Sequence, residues 1–341
     1  MPYRDIHFIS LLISVCAFTL QPFGQTKIRI KATPVSNQLS VTAINTPSKG
    51  TIVLWESNET TINENNWKAV HAFPVSKQNS AALLIKPKAK NNAFFKLSWQ
   101  PINLPNQLAW IPPGNFQMGS PSDEPGRFKD EGPVHPSSVP HGFWMDRYET
   151  TQQRFRDLMG NNPSSTEFTP NLPVNRVTWY EAAQFCEKLT KSAKSKEQLP
   201  IGYVYRLPTE TEWEYACRAG TDNAYSYGDS AETLSEYGWW AKNSGNQPEP
   251  VGKLKPNPWG LYDMHGNLFE WCFNSYKPYP DGEAFSNTGN MKVLRGGAFY
   301  CPSNILRSAC RAESQKPDYR WILAGFRVVL APPITRALEQ D

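Results

Sequence analysis

The chain has few of the features that mark several common protein classes. Its 341 residues carry a net charge of only +4 with no lysine or arginine block, which argues against nucleic acid or an anionic membrane as a partner. It has only five histidines and no His-x-x-x-His pair, which disfavours zinc or non-haem iron. Beyond the N-terminus no segment is apolar enough to span a membrane, so we expect no transmembrane segment. Aromatic residues at 13% argue against disorder.

The N-terminus has the pattern of an export signal. Arg4 precedes an apolar stretch over residues 8–20 that is too short to cross a bilayer as a helix and is followed by polar sequence. We therefore expect a signal peptide over residues 1–25 and a secreted, periplasmic or cell-envelope protein. Lipid anchoring at Cys16 is an alternative, which the bulky Val15 before it disfavours.

The rest of the chain divides into two regions of different composition. Residues 26–100 contain short alternating apolar runs separated by polar clusters, which predicts a small all-β, sandwich-like accessory module. Residues 101–107 carry two prolines in a polar setting and predict a linker. A second domain follows over residues 108–332, and residues 333–341 form a tail.

Helices are predicted at a few places in the second domain. Thr178 and Glu181 have the spacing of a capping box, in which each side chain bonds the backbone of the other residue, and Thr209 and Glu212 repeat it. The second of these helices is expected to end at Gly220. A shorter helix is expected after Thr151.

Seven motifs between residues 110 and 328 give the most specific signal. They are Trp110–Ser120, Asp130–His135, Phe143–Thr150, Arg206–Tyr215, Trp259–Trp271, Val293–Cys301 and Gly325–Val328. In their order they resemble the formylglycine-generating enzyme (sulfatase-modifying factor) family. The resemblance implies an α+β, loop-rich domain similar to the C-type lectin fold. It also implies an oxidase that converts a sulfatase cysteine to formylglycine, so the partner would be a sulfatase or another exported protein or peptide.

The resemblance singles out Cys301 as the candidate catalytic residue. Oxidases of the family use two cysteines five residues apart to bind copper(I), and soft thiolates suit that ion. Here the second position is Leu306, while Ala298 and Pro302 replace the serine and histidine that are common nearby. The chain is therefore expected to be an exported member that lacks the second active-site cysteine. Cys301 is either a remaining catalytic thiol or a small buried residue.

A calcium site is expected in the motif around His265. Asp263 and Glu270 could combine with the Gly266 and Leu268 carbonyls as the hard oxygen ligands that calcium prefers, and the resemblance implies a structural calcium at these positions. The alternative is a turn in which Asp263 caps the backbone and Glu270 pairs with an arginine.

The resemblance also implies a disulfide between Cys217 and Cys310, and an exported protein could form it. Two buried thiols are the alternative. Cys186 matches a family cysteine as well, but Val328 stands where its partner would be.

Three functions remain open on these grounds. The first is an exported sulfatase-maturing oxidase whose chemistry is altered or lost, and the second is a non-catalytic, lectin-like binding or assembly protein of the cell envelope. The third is a different redox enzyme that uses Cys301 alone.

Buried arginines are expected to organise carboxylates such as Glu149, Glu212 or Glu214. These arginines are Arg295, Arg307, Arg311 and Arg327.

Overall fold

The computed structural model describes residues 104–196, 198–200, 202–279, 291–311 and 313–334, together with the backbone of eight strands before residue 101. The chain divides into two compact units, Met1–Leu104 with Lys196–Tyr203, and Pro105–Ser195 with Val204–Asp341. Within the described residues, no helix is both long and apolar enough to cross a membrane.

The described strands of the first unit are β1 (Ile9–Ser10), β2 (Phe18–Phe23), β3 (Thr26–Thr33), β4 (Gln38–Ile44), β5 (Thr51–Ser57), β6 (Lys68–Pro74), β7 (Leu83–Ile85) and β8 (Phe94–Gln100). They form two four-stranded antiparallel sheets, in the orders β1-β8-β5-β6 and β2-β3-β4-β7. The sandwich-like module stays a prediction. Most of the predicted export signal, including Cys16, lies outside the described residues, as do residues 101–103 of the linker and 335–341 of the tail.

The second unit combines helices, short strands and long loops. Its described helices are α1 (Gln152–Met159), α2 (Trp179–Ser195) and α3 (Glu210–Arg218). Its described strands are β9 (Leu108–Ile111), β10 (Gly114–Met118), β11 (His135–Val139), β12 (Phe143–Asp146), β13 (Val204–Arg206), β14 (Phe269–Ser275), β15 (Lys292–Arg295), β16 (Glu313–Gln315), β17 (Ala324–Gly325) and β18 (Val329–Ala331). The α+β, loop-rich class expected for this region is confirmed.

Two four-stranded sheets organise this unit. One has the order β13-β18-β12-β9 and its strands are antiparallel. The other has the order β16-β15-β14-β17, in which β14 and β17 run parallel. Because β14 follows the predicted calcium motif and β15 leads into the Cys301 segment, the second sheet brings both candidate sites to one part of the fold.

The capping boxes predicted for α2 and α3 are both formed. The Glu181 amide donates to Thr178 Oγ1 at 3.1 Å, and the Thr178 amide donates to the Glu181 carboxylate at 3.0 Å. Glu212 and Thr209 make the same exchange at 3.1 and 2.9 Å. Each exchange satisfies two amides that a helix start leaves without intrahelical partners.

Local hydrogen bonds and backbone angles determine the start of α1 and the end of α3. Thr151 caps α1 by accepting from the Arg154 amide at 3.2 Å. At the end of α3 the left-handed turn begins at Ala219, with φ 49°, one residue before the predicted Gly220. The Ala219 amide still makes the helical bond to the Tyr215 carbonyl at 3.2 Å, and the left-handed φ of Ala219 then turns the chain out of the helix.

Aromatic side chains fill the core between the helices and the sheets. Phe155 of α1 and Phe185 of α2 stack with centroids 5.7 Å apart, and both meet Phe326 edge-on. Trp213 and Trp271 are fully buried. Such burial stabilises the unit by about 1.5–3 kcal/mol for each large apolar side chain. It also gives the loops a rigid base.

Candidate functional site

A sharp turn carries the chain from β15 to Cys301. Gly296 and Gly297 both have left-handed φ angles, 96° and 77°, which side chains rarely adopt. A Cβ on Gly297 would lie 2.8 Å from Leu306 Cδ1, so a side chain at position 297 would collide with Leu306. The turn leaves Tyr300 60% exposed and Cys301 only 7% exposed.

Backbone contacts hold Cys301 on both sides. Its amide donates to the Ala298 carbonyl at 2.9 Å, and its carbonyl accepts from the Ala241 amide at 3.2 Å. Nearby, Ser244 Oγ donates to the Phe299 carbonyl at 2.7 Å. The loop around residues 241–244 therefore fixes the candidate catalytic segment in one conformation.

The residues beside Cys301 do not fit a two-thiolate copper site. Leu306 is fully buried and directs its side chain against Gly297 and Gly266, so hydrocarbon stands where the resemblance implies the second sulfur ligand. Among the described residues no group of three His, Cys, Asp or Glu side chains is arranged to hold a metal ion. A single thiolate does not provide the pair of soft ligands that the family chemistry uses.

The cysteines of the described residues are buried and none is joined in a disulfide. The bridge implied between Cys217 and Cys310 is not formed in this structure and stays a prediction. Cys217 Sγ instead faces Ser308 Oγ at 3.7 Å, the Met264 carbonyl at 3.8 Å and the His265 ring at 3.9 Å. Burial raises the pKa of Cys217 to about 12, so it is a thiol at neutral pH.

His265 links the two candidate sites, a role that sequence reasoning missed. Its Nε2 accepts from the Ser226 amide at 3.1 Å, so Nδ1 carries the proton and donates to the Leu306 carbonyl at 2.9 Å. Burial lowers the pKa of His265 to about 4, and the ring is neutral at pH 7. The only sequence signal was its place in the turn at Gly266.

The turn at His265 packs against the segment that begins at Gly238 with no room for side chains. A Cβ on Gly238 would overlap the His265 carbonyl, and one on Gly266 would overlap the Trp239 carbonyl. The Asn267 amide donates to that same Trp239 carbonyl at 2.9 Å. The two backbones therefore touch directly.

The two predicted carboxylate ligands of calcium, Asp263 and Glu270, are both in this motif but have different hydrogen-bond partners. Asp263 is buried with φ 60°, and its Oδ2 accepts from the Gly252 amide at 2.7 Å while its Oδ1 has no partner. Glu270 accepts from Arg327 at 2.6–2.9 Å and from Trp213 Nε1 at 2.7 Å. Both parts of the alternative are thus present, since Glu270 pairs with an arginine and Asp263 accepts from a backbone amide, although Asp263 Oδ1 has no partner.

Glu149 completes a cluster of buried carboxylates that the sequence did not reveal. Its oxygens accept from the Leu268 amide at 2.9 Å and from Asn267 Nδ2 at 2.6 Å. Burial, and then the charges of Asp263 and Glu270, hold the pKa of Glu149 well above its usual range. Burial also raises the pKa of Asp263 to about 6.

Full ionisation of this cluster is unfavourable. When all three carboxylates are ionised, the guanidinium of Arg327 leaves an excess of two negative charges in a buried place, which either a bound proton, in line with the raised pKa of Glu149, or a cation relieves. The unpartnered oxygen of Asp263 is a hard ligand, and backbone carbonyls such as those of Gly266 and Leu268 suit calcium.

Four buried arginines hold the surrounding loops, as expected from the sequence. Arg295 pairs with Glu214, Arg307 with Glu131 and Glu124, Arg311 with Glu210, and Arg327 with Glu270. Two of the suggested acceptors differ, since Glu212 pairs with Arg206 and Glu149 accepts amide donors. These pairs join segments far apart in sequence and so fix the loops that carry both sites.

The ordered motifs and the loop-rich α+β unit define a sulfatase-modifying-factor domain. The profile of the sulfatase-modifying factor enzyme 1-like domain matches residues 95–332, and the chain belongs to this family.

Several proteins of known name are similar to this chain. It is 31% identical over 294 residues to the formylglycine-generating enzyme of Bos taurus, covering 65% of this chain and 74% of that protein. It is 32% identical over 299 residues to that of Mycobacterium tuberculosis, covering 66% and 98%. A protein named chaperone protein LppX, from Paenibacillus barcinonensis, is 30% identical over 204 residues, covering 48% of this chain and 71% of that protein.

Two solved structures share the fold of this chain over about two thirds of its length. Treponema denticola variable protein 1 matches with a TM-score of 0.56 and 28% identity, covering 66% of this chain and 95% of that one. PvdO from Pseudomonas aeruginosa matches with a TM-score of 0.57 and 26% identity, covering 66% and 94%.

Proposed function

We propose that this member of the family has lost the two-cysteine oxidase chemistry and works as a binding or assembly protein. The observation that carries the proposal is the packing of Leu306. Its fully buried side chain fills the space against Gly297 and Gly266 at the position of the second copper ligand. With a leucine at that position the pair is reduced to the thiol of Cys301, and one thiolate does not supply the two ligands that copper(I) takes in this family.

The rigidity of the loops supports a binding role. The segment from Phe299 to Leu306 is held by Ser244, Ala241 and His265 through hydrogen bonds of 2.7–3.2 Å. Loops fixed on a packed scaffold can present a surface with little entropic cost of ordering. The name of the LppX relative, a chaperone, describes a protein that acts on other proteins, and that is the class of partner we propose here.

Calcium is proposed as a structural ion at Asp263, Glu270 and the Gly266 and Leu268 carbonyls. The excess negative charge and the unpartnered Asp263 oxygen support it. The ion would neutralise the cluster and fix the turn at His265, and it would supply no chemistry. Glu149 would orient this turn through its bonds to Asn267 and Leu268.

We propose an exported protein, secreted or held in the periplasm or cell envelope, on the strength of the apolar stretch after Arg4. Partners would then be exported proteins or peptides, a sulfatase among them.

An altered oxidase is the second candidate, because Cys301 lies beside the exposed Tyr300 at the edge of the surface. The two candidates are separated by incubating the purified protein with copper(I), oxygen and a peptide that contains Cys-x-Pro-x-Arg. Mass spectrometry of the peptide is expected to show an unchanged thiol. An aldehyde that forms with the native protein and not with Cys301→Ser would refute the binding role as the main function.

A further inference from the structure

Two short segments that hydrogen bonds hold side by side carry exposed apolar side chains. We call this pair of segments the aromatic ledge, and it consists of residues 175–181 and 316–322. Tyr180 is 55% exposed, Tyr319 47% and Ile322 50%, which makes three of the six exposed large apolar residues in the described part of the chain. Single exposed apolar side chains are ordinary, but a group on one surface marks an interaction site.

Hydrogen bonds join the two segments into a rigid base. The Trp179 amide donates to the Pro317 carbonyl at 3.0 Å, and Asn175 Nδ2 donates to the Ile322 carbonyl at 3.0 Å. Arg320 forms a two-pronged pair with Glu181 at 2.7 and 2.8 Å. The exposed side chains are therefore presented on ordered backbone, which reduces the entropic cost of binding a partner.

Arg176 is held in a strained conformation within the ledge. Its φ is 56°, a left-handed value that a residue with a long side chain adopts rarely. Its amide donates to the Trp321 carbonyl at 3.1 Å and its carbonyl accepts from Arg320 at 3.0 Å, so the strain is maintained from both sides. The result is an exposed arginine on a fixed backbone, and backbone strain of this kind concentrates at functional sites.

The ledge carries an excess of positive charge. Arg320 and Glu181 neutralise each other, which leaves the exposed Arg176 and Lys316 against the exposed Asp318. Lys292 adds a further cation, with Nζ 4.2 Å from the centroid of the Trp179 ring. A partner that covers the ledge must therefore supply acidic groups beside an apolar one.

The size of the ledge limits the kind of partner. Three half-exposed side chains offer about 300 Å² of contact, since a large aromatic residue buries roughly 150–250 Å² when fully covered. A stable complex between two folded surfaces takes about 800 Å² from each partner. The ledge fits a short peptide segment better than a second copy of this chain.

We propose that the aromatic ledge binds a short acidic segment of a partner protein, with an apolar side chain of that segment against Tyr180, Tyr319 and Ile322 and its carboxylates beside Arg176 and Lys316. This inference rests on the proposed binding function and names the class of ligand for it.

The test selects peptides from a random 12-residue phage library on the full-length protein. A selected peptide is then synthesised with a fluorescein label, and its Kd is measured by anisotropy. The selected peptides are expected to share Asp or Glu beside a large apolar residue. Joint replacement Tyr180→Ser and Tyr319→Ser should weaken binding tenfold or more, because aromatic residues dominate such contacts. Val134→Ser, which changes an exposed apolar residue outside the ledge, should leave the Kd unchanged.

Charge is tested separately on the same peptide. Arg176→Asn removes the guanidinium and suits the left-handed backbone, and Lys316→Gln removes the second charge. Each should weaken binding about threefold and reduce its dependence on salt, because exposed charges are screened. Peptides that are basic, or that bind equally to the Tyr180/Tyr319 variant, would overturn the proposal.

Other occupants of the ledge would also overturn the proposal. If the phage selection enriches no peptide over a blank surface, the proposal is overturned. Ledge-dependent binding to phosphatidylglycerol vesicles, or a dimer that the double serine variant abolishes, would replace the acidic segment with a membrane or a second copy. Formation of an aldehyde in the copper assay would refute the proposed function and leave the result on the ledge standing.

Discussion

Replacing Glu214 with glutamine removes the carboxylate that anchors the start of the Cys301 segment. Glu214 is fully buried and accepts from Arg218 at 2.9 Å, from the Gly119 amide at 2.9 Å and from Arg295. Arg295 also donates to the carbonyls of Ala309 and Cys310 at 2.9 and 2.6 Å, so it closes the loop that contains Cys301. The substitution keeps the shape of the side chain, removes the carboxylate partner of the buried Arg218 and leaves Arg295 with only Glu210, 3.8 Å away.

The expected loss of unfolding free energy is about 3 kcal/mol. Breaking a buried ion pair from one side costs roughly 3–5 kcal/mol. The lower end applies here because Arg295 keeps its carbonyl acceptors and has Glu210 at 3.8 Å. For a unit of this size the midpoint of thermal unfolding should fall by about 6–12 °C. Combining Glu214→Gln with Arg295→Met should cost less than the sum of the two changes, because they break the same pair.

The effect should depend on pH in a defined direction. Burial alone would raise the pKa of Glu214, but the guanidiniums of Arg218 and Arg295 outweigh it, and the pKa lies below the usual value of 4.5. A lowered carboxylate pKa stabilises the native state above the unfolded value and loses that stabilisation as pH falls through the folded value. The difference between the native protein and Glu214→Gln should therefore be full at pH 7 and shrink below about pH 4.5.

Urea unfolding followed by tryptophan fluorescence measures this difference at each pH. The control is Glu236→Gln, which breaks the exposed pair between Glu236 and Lys255 and should leave the unfolding midpoint unchanged. A loss below about 1 kcal/mol for Glu214→Gln at pH 7 would show that the buried pair does not hold the Cys301 segment.

Three further changes test the neighbouring features. Calcium at a hundred times its Kd should raise the free energy of unfolding by about 2.7 kcal/mol, and Asp263→Asn should abolish this gain. An equal gain in that variant would show that the ion binds elsewhere. Gly266→Ala and Gly238→Ala should each lower the free energy of unfolding in urea by about 2 kcal/mol or more, because the new Cβ would overlap backbone atoms. Losses under about 0.5 kcal/mol would contradict the direct backbone contact. Cys301→Ser should lower the thermal midpoint less than Cys217→Ser, because Cys217 is completely buried; equal losses would make Cys301 a structural residue.

Local signals in the sequence predicted much of the second unit. The capping pairs at Thr178 and Thr209 marked the starts of α2 and α3, because each box needs only residues three apart. The end of α3 was one residue off, because Ala219 already has a left-handed φ of 49° before Gly220, which has the expected left-handed φ of 92°. The buried arginines were predicted as a group, although their partners were only partly foreseen.

The parts of the site that could not be predicted depend on distant contacts. Glu149 bonds to Leu268 across 119 positions, and its sequence neighbours give no sign of a buried carboxylate cluster. The tautomer of His265 depends on Ser226 and Leu306, which lie 39 and 41 positions away in opposite directions. Spacing rules describe residues on one element, so they do not reach contacts of this kind.

The buried ion pairs join carboxylates that are synthesised early to arginines that are synthesised late. Arg295, Arg307, Arg311 and Arg327 all come late, and their carboxylates precede them by 57 to 183 positions. A ribosome that has made only the first 290 residues has produced these carboxylates and none of these four cations. Because an unpaired buried charge costs several kcal/mol, a partial chain that packed these carboxylates as in the native structure would bury them without their partners. The native packing of these loops therefore depends on the last arginines to be made.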